Sequence, residues 1–149
     1  MSDGLGLLSF GGDGWTWALL KAAAVTLALS IAGFALGAVL GAWARWLVSL
    51  WLNVESWPWG TFAVNMAGGY LVGLVLALVA GHPEWPAWVR LGVITGFMGG
   101  LTTFSTFSAE TVAMLERGAY GTALSYAGLS LIGSLALTAA GLATAHLLR

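Results

Sequence analysis

The chain has 149 residues, 7% of them charged, a formal net charge of −1 and no cysteine. Average soluble proteins are about 25% charged, and a mean hydropathy of +0.90 marks a chain that lives in lipid. Near-neutral charge gives no footing for nucleic-acid binding, and the missing thiols exclude disulfides and thiolate metal sites.

Four uncharged runs, 22–44, 56–83, 91–109 and 118–148, each approach or exceed the roughly 20 residues needed to cross about 30 Å of hydrocarbon. The expected fold is an all-α membrane protein of four transmembrane helices, with 1–21 as an extension and 22–149 as one four-helix transmembrane domain. The glycine-rich start, followed by Trp15, Trp17, Leu19, Leu20 and Lys21, reads as a mobile tail and an interfacial lead-in. Asp3 and Asp13 stand where a secretory signal would be basic, and the apolar run after them is too long for a signal core, so this run is expected to remain in the mature protein.

In the first run Gly33, Gly37 and Gly41 recur every four residues, a smooth stripe that lets helices approach closely in lipid. The second run repeats the device at Gly69 and Gly73, the third at Gly92, Gly96 and Gly100. Arg45, four residues after Gly41, is expected to snorkel to the interface and to make an inter-helix hydrogen bond. Most of the nine tryptophans sit at the ends of runs, as an interfacial belt requires. The connections 53–56, 81–86 and 116–119 are short, so consecutive helices should be antiparallel neighbours.

With four spans, Lys21, Arg90 and Arg149 fall on one side and Arg45 and Arg117 on the other. Since Lys/Arg asymmetry fixes orientation, so small a bias predicts insertion in both directions and pairing of two opposed copies about a twofold axis in the membrane plane.

Asn65 is the only amide side chain of the second run. Two roles are open to it: glue between helices, or donation from its NH₂ to a permeating ion. In the third run the stretch GFMGGLTTFSTFS, residues 96–108, is the unusual one. Gly99 and Gly100 weaken a helix at mid-membrane, where each freed backbone group costs several kcal/mol without a partner. A break there exposes carbonyls, and those of Gly99, Gly100 or Thr102 from two opposed copies would surround one hard cation, sodium being the expected occupant. A simple kink capped by hydroxyls is the other reading.

Past the break, Thr103, Thr106 and Glu110 share a helical face with Phe107 beside them, while Phe104 and Ser108 lie on the adjoining face. Hydroxyls are neutral donors, and a phenyl ring has a positive edge. A route lined by such weak donors suits a small hydrated anion that must shed water and still leave. Glu110 lies deep enough to need a reason, because a carboxylate at the bilayer centre costs roughly 2.5–3.5 kcal/mol on insertion scales. A watery vestibule, hydrogen bonds from Thr106 or Ser108, and uptake of a proton all stay open. In the fourth run Tyr126, Ser130, Ser134 and Thr138 recur every four residues as a second polar stripe. No HExxH, Walker loop or carboxylate pair is present, and His82 and His146 sit at span ends, so an enzyme is not expected.

At these residues the sequence resembles a known family, the small fluoride channels called Fluc or CrcB. Residues 96–107 fit its third-helix signature GFxGGxTTFSTF throughout, and GTFAVNMAGG, 60–69, is similar to its second-helix segment GTxxxNxxG. The first-helix pattern GGxxGAxxRY is only partly kept, with Ala38 for a glycine and Trp46 for the tyrosine. The resemblance covers roughly 30–148. It implies a broken third helix, a dual-topology antiparallel homodimer, two fluoride pathways, a central structural sodium and passive fluoride export across the inner membrane. By position it implies Asn65 as pore amide, Phe104 and Phe107 as a ring pair, Thr106 in the donor row, Tyr126, Ser130 and Ser134 as a polar track, carbonyls of Gly99 and Thr102 on sodium, and a packing role for Arg45. The alternative class is a proton-coupled four-helix multidrug-type exporter in which Glu110 alternates between proton and substrate. A membrane assembly subunit without transport would explain the glycine stripes but not the Asn, Phe and Thr set.

Overall fold

A computed structural model describes residues 15–148. The expected tail, 1–14, lies outside the described residues. The described residues are helical almost throughout. Helix α1 (Trp15–Leu52) leads through a minimal hairpin, β1 (Asn53–Val54) against β2 (Trp57–Pro58), into α2 (Trp59–Gly81). A short α3 (Ala87–Arg90), a π-helical segment (Leu91–Met98) and a single turn α4 (Gly99–Leu101) follow one another without a gap. Then come α5 (Phe104–Glu116) and α6 (Tyr120–Leu147). Gly118, at φ +73°, makes the left-handed turn between the last two.

Three helices, α1, α2 and α6, are long and apolar enough to cross a membrane, and the chain is a multi-pass membrane protein. The fourth crossing expected over 91–109 is distributed over several short helical pieces, none of which has the length alone. Leucines such as Leu124, Leu129 and Leu135 stand on the outside of the bundle, where lipid tails are their solvent.

Two expectations about boundaries change. The lead-in at 15–21 is continuous with α1, which runs 38 residues rather than the 23 of the uncharged run. Only Lys21 and Arg45 interrupt its apolar sequence, and no proline or glycine pair stops it. The link at 53–56 is also more than a loop, since Asn53 faces Pro58 and Val54 faces Trp57 across the hairpin.

The bundle has two packed seams. In one, the α1 stripe lies on the stretch 87–101, backbone to backbone: a Cβ on Gly37 would run into the Gly92 carbonyl, one on Gly41 into the Phe97 carbonyl, and one on Gly96 would stand 2.6 Å from Phe34 O. In the other, α2 lies along α6, with Gly73 against the Thr138 carbonyl and Gly141 against that of Tyr70. Dispersion at this range replaces the hydrophobic force that lipid cannot supply. At one end of the second seam the bundle closes around Met114, Ala123 and Tyr126, with Trp57, Phe62 and Phe107 packed on them. Trp57 is thus turned inward, unlike the interfacial tryptophans among which the sequence places it.

Candidate functional site

The helical rod stops at Leu101 and restarts at Phe104, with Thr102 (φ −85°, ψ 155°) and Thr103 (φ −151°, ψ 118°) extended between. The interruption therefore falls two residues after the glycine pair that draws attention in the sequence. Gly99 and Gly100 are themselves helical. Gly100 is needed for contact, because a Cβ there would lie 2.5 Å from Ala38 O, whereas nothing lies within 4 Å of the position a Cβ would take on Gly99.

Several backbone groups at the interruption have specific partners. Thr103 N–H donates to Asn65 Oδ1 at 2.8 Å, and Asn65 Nδ2 donates back to Thr103 O at 3.1 Å. An unbroken helix would give that N–H to the Gly99 carbonyl. The amide of α2 takes it instead and leaves the Gly99 carbonyl without its helical partner. Thr102 turns both its N–H (3.0 Å) and its hydroxyl (2.9 Å) onto Met98 O. Arg45 Nε donates to Gly100 O at 3.0 Å, placing a cation at the C-terminal end of α4, where the peptide dipoles favour one. The inter-helix bond expected of Arg45 is this one. Thr103 Oγ1 caps α5 by accepting from Thr106 N at 3.1 Å, and the Thr103 hydroxyl in turn donates to Thr106 Oγ1 at 3.0 Å.

Between α2, the interruption and α6 runs an open groove of about 400 Å³. Asn65, Thr102, Thr103, Phe104, Phe107, Ser130, Ser134 and Thr138 line it, with Gly68 and Gly69 forming its floor. Among the described residues no charged side chain borders it. Ser130 is only 6% exposed, yet its Oγ has no hydrogen-bond partner. A buried hydroxyl left unpaired costs about 1–3 kcal/mol, so a site of this kind favours an acceptor that can take its proton. Thr138 differs: its hydroxyl is shared between Gly69 O (3.0 Å) and Ser134 O (2.8 Å).

Aromatic rings carry one wall of the groove into the core. The centroids of Phe104 and Phe107 are 5.7 Å apart, Phe107 and Tyr126 5.2 Å, and Tyr126 and Trp57 5.4 Å with the planes near perpendicular. Phe104 is 79% exposed, so the groove is open on its side. Tyr126 is fully buried and donates its hydroxyl to Glu110 Oε2 at 2.7 Å.

Glu110 stands at the far end of this row and outside the groove. Its Oε1 accepts from Thr61 Oγ1 at 2.7 Å, with Asn53 Nδ2 at 3.4 Å. Thr106 and Ser108, the donors expected from the sequence, do not serve it: Thr106 is committed to Thr103, and Ser108 donates to Phe104 O at 2.9 Å. The reason is helical phase. Both hydroxyls fold back onto α5 itself, while the Glu110 carboxylate points across to α2, the hairpin and α6.

The structure thus gathers Asn65, Phe104, Phe107, Ser130, Ser134 and Thr102 around one groove, and ties Tyr126 and Glu110 together behind it. Thr106 sits in the cap of α5, Arg45 reaches from α1 to the Gly100 carbonyl, and Gly99 is exposed with nothing packed on it. Sequence reading passed over Asn53, Thr61 and Trp57. The signal was present only as Asn53 preceding Thr61 by eight residues, and nothing local reveals that Glu110 meets both.

A sequence profile of the family described as CrcB-like protein, Camphor Resistance (CrcB), matches residues 32–142. The chain belongs to this family. Among curated relatives, the fluoride-specific ion channel FluC of Bordetella petrii is 70% identical over 121 residues, 81% of this chain and 94% of that protein. The protein of the same name from Bordetella pertussis is 63% identical over 120 residues, covering 80% and 94%. One from Pseudomonas syringae pv. maculicola is 53% identical over 116 residues, covering 76% and 91%. The family match begins well inside α1, so the first turns of that helix lie outside it, as does the stretch 1–14.

Proposed function

We propose that this chain is a fluoride-selective channel that lets fluoride leave the cell down its own gradient, and that it works as an antiparallel dual-topology homodimer in the inner membrane. The names of its relatives supply the substrate. The observation that carries the reading is Ser130: a buried hydroxyl with no partner, in a groove whose other polar groups are uncharged. Fluoride is small and strongly hydrated, and crossing requires groups that replace part of its water without holding it fast. The free Ser130 hydroxyl, the second N–H of Asn65 and the positive ring edges of Phe104 and Phe107 are donors of that moderate strength. A Lys or Arg in the same groove would bind the anion and slow its exit. The same reading makes Ser134 and Thr106 secondary donors of the route and Tyr126 the ring that backs Phe107, with its hydroxyl given to Glu110 as anchor.

A second copy accounts for the open side of the groove. Phe104 is exposed in the single chain, and an opposed copy packed against the interruption would cover it and complete the pathway wall. The Lys/Arg balance allows the opposed insertion this requires.

The family also implies a sodium ion. Among the described residues no group of three or more His, Asp or Glu side chains is available to a metal. Uncharged carbonyls are, and the Gly99 carbonyl is released by the diversion of Thr103 N–H to Asn65. The carbonyls of Gly99 and Thr102 fit a hard monovalent cation. Bound there, sodium would supply fixed positive charge at the junction of the two copies. Asn65 then has two duties in one side chain, donating toward the groove and keeping the Thr103 N–H off that carbonyl.

The exporter alternative needs Glu110 in a roomy chamber, free to exchange a proton for substrate. Its carboxylate is instead engaged by Thr61 and Tyr126. Electrode-monitored efflux from proteoliposomes separates the readings: fluoride should leave rapidly and electrogenically with no proton gradient, and chloride should not. Efflux that depends on a proton gradient, or no fluoride efflux at all, would defeat the channel.

A further inference from the structure

One side chain in the hairpin has a geometry that only an asparagine satisfies. Asn53 Oδ1 accepts from Gly60 N at 2.6 Å and from Thr61 N at 3.2 Å. These are among the first backbone donors of α2, which have no partner inside the helix. The residue at the start of α2, Pro58, offers no side-chain cap, so Asn53 does that work from across the hairpin. Two N–H donors fix which end of the amide is oxygen. The NH₂ end must then face the other way, where Thr61 Oγ1 lies at 3.5 Å and Glu110 Oε1 at 3.4 Å. Reversed, the amide would set its oxygen against a carboxylate and its NH₂ against two donors.

We infer that Asn53 is the positioning residue for Glu110: its oxygen caps α2 while its NH₂ holds the carboxylate in place, and through Tyr126 that hold sets the ring row on the fluoride route. The inference rests on the channel reading above. The chain of contact is short. Glu110 Oε1 takes the Thr61 hydroxyl, Oε2 takes the Tyr126 hydroxyl, and the Tyr126 ring lies against Phe107. A carboxylate turned away from this position leaves the buried Tyr126 hydroxyl without an acceptor and loosens the ring that Phe107 leans on. The groups able to alter its charge are few. Tyr126 faces it from α6, and Glu55 of the hairpin turn and Arg117 after α5 line the same small cavity of about 180 Å³. Thr61 and Asn53 do not titrate.

Asn53→Asp separates the two duties. Aspartate caps a helix as well as asparagine does, so the bonds from Gly60 and Thr61 survive. Its second oxygen, however, replaces the NH₂ beside Glu110, and two carboxylates that close cannot both stay ionised without strain. At high pH they repel and Glu110 is displaced. At lower pH one proton bridges them and restores a donor where the amide stood.

The expected result in proteoliposomes is a fluoride efflux about tenfold below that of the unaltered chain near pH 8, recovering to within about threefold near pH 6, while the unaltered chain changes less than about twofold. Protein-free liposomes supply the correction for neutral HF crossing the lipid. The melting temperature of the same variant in detergent is read over the same pH range, and it should rise toward that of the unaltered chain as pH falls. Asn53→Asp indistinguishable from the unaltered chain in both readouts overturns the inference, since capping alone would then be the residue's whole role. A pH-dependent melting temperature with normal efflux also overturns it, because the contact would exist without governing the route. If the unaltered chain passes no fluoride, the channel reading has failed, and the melting profile still decides whether Asn53 holds Glu110.

Discussion

The two seams of the bundle use glycine for opposite ends. Between α1 and the stretch 87–101, glycines on both sides bring backbones into contact, and Arg45 reaches across to the Gly100 carbonyl. Between α2 and α6, Gly73 and Gly141 meet backbone carbonyls, while Gly68 and Gly69 border a groove edged with hydroxyls and rings. The first seam has no space and makes no use of solvent-like groups. The second has space, and one of its hydroxyls is kept unpaired. Small residues in a membrane bundle therefore mark structure where two backbones meet, and mark a route where they bare a void that polar side chains overlook.

Substitutions can break or sharpen this contrast. The largest effect is expected at Gly37→Val, because a side chain there meets the Gly92 carbonyl with no flexible atom to yield. Overpacking of this kind should cost more than about 4 kcal/mol, and no monodisperse protein should be recovered by size-exclusion chromatography. Asn65→Asp comes next. It keeps the acceptor for Thr103 N–H, loses the donor to Thr103 O and sets a charge beside the groove, so efflux should fall about a hundredfold, from the roughly 2.5–3.5 kcal/mol that a carboxylate costs in the membrane. Size-exclusion elution should be unchanged.

Ser130→Ala should reduce efflux about tenfold while the melting temperature holds or rises, since removing an unpaired buried hydroxyl relieves a penalty of about 1 kcal/mol or more. A melting temperature that falls with efflux intact would place Ser130 on the structural side of the comparison. Smallest of all is Gly128→Ala on α6, where nothing lies within 4 Å of an added Cβ. It should leave efflux unchanged and stabilise the helix by up to about 1 kcal/mol, read as a small rise in melting temperature.

Much of this was legible from the chain alone. Uncharged runs gave three of the crossings, and the four-residue spacing of Gly, Ser and Thr placed the seams and the α6 stripe. Asn65, Phe104, Phe107, Ser130 and Ser134 could be chosen because uncharged donors at helical spacing are conspicuous in an apolar chain. The position of the interruption was not legible. Gly99 and Gly100 look like breakers by propensity, but Gly100 answers to Ala38 on α1, and the real change of course at Thr103 is held by an amide 38 residues away. The same reason hides the Glu110 network, whose donors come from the hairpin, α2 and α6 and share no periodicity with it.

The length of α1 has a further consequence. At about 1.5 Å per residue, 38 residues make a rod of about 57 Å, and even the steepest inclination usual for such rods, about 40°, fits only about 39 Å of it across the hydrocarbon. Some twelve residues must therefore sit among headgroups or beyond them. That share changes with every ångström of bilayer thickness, so lipid chain length becomes a dial that draws Trp15, Trp17 and Lys21 toward the membrane or pushes them away from it.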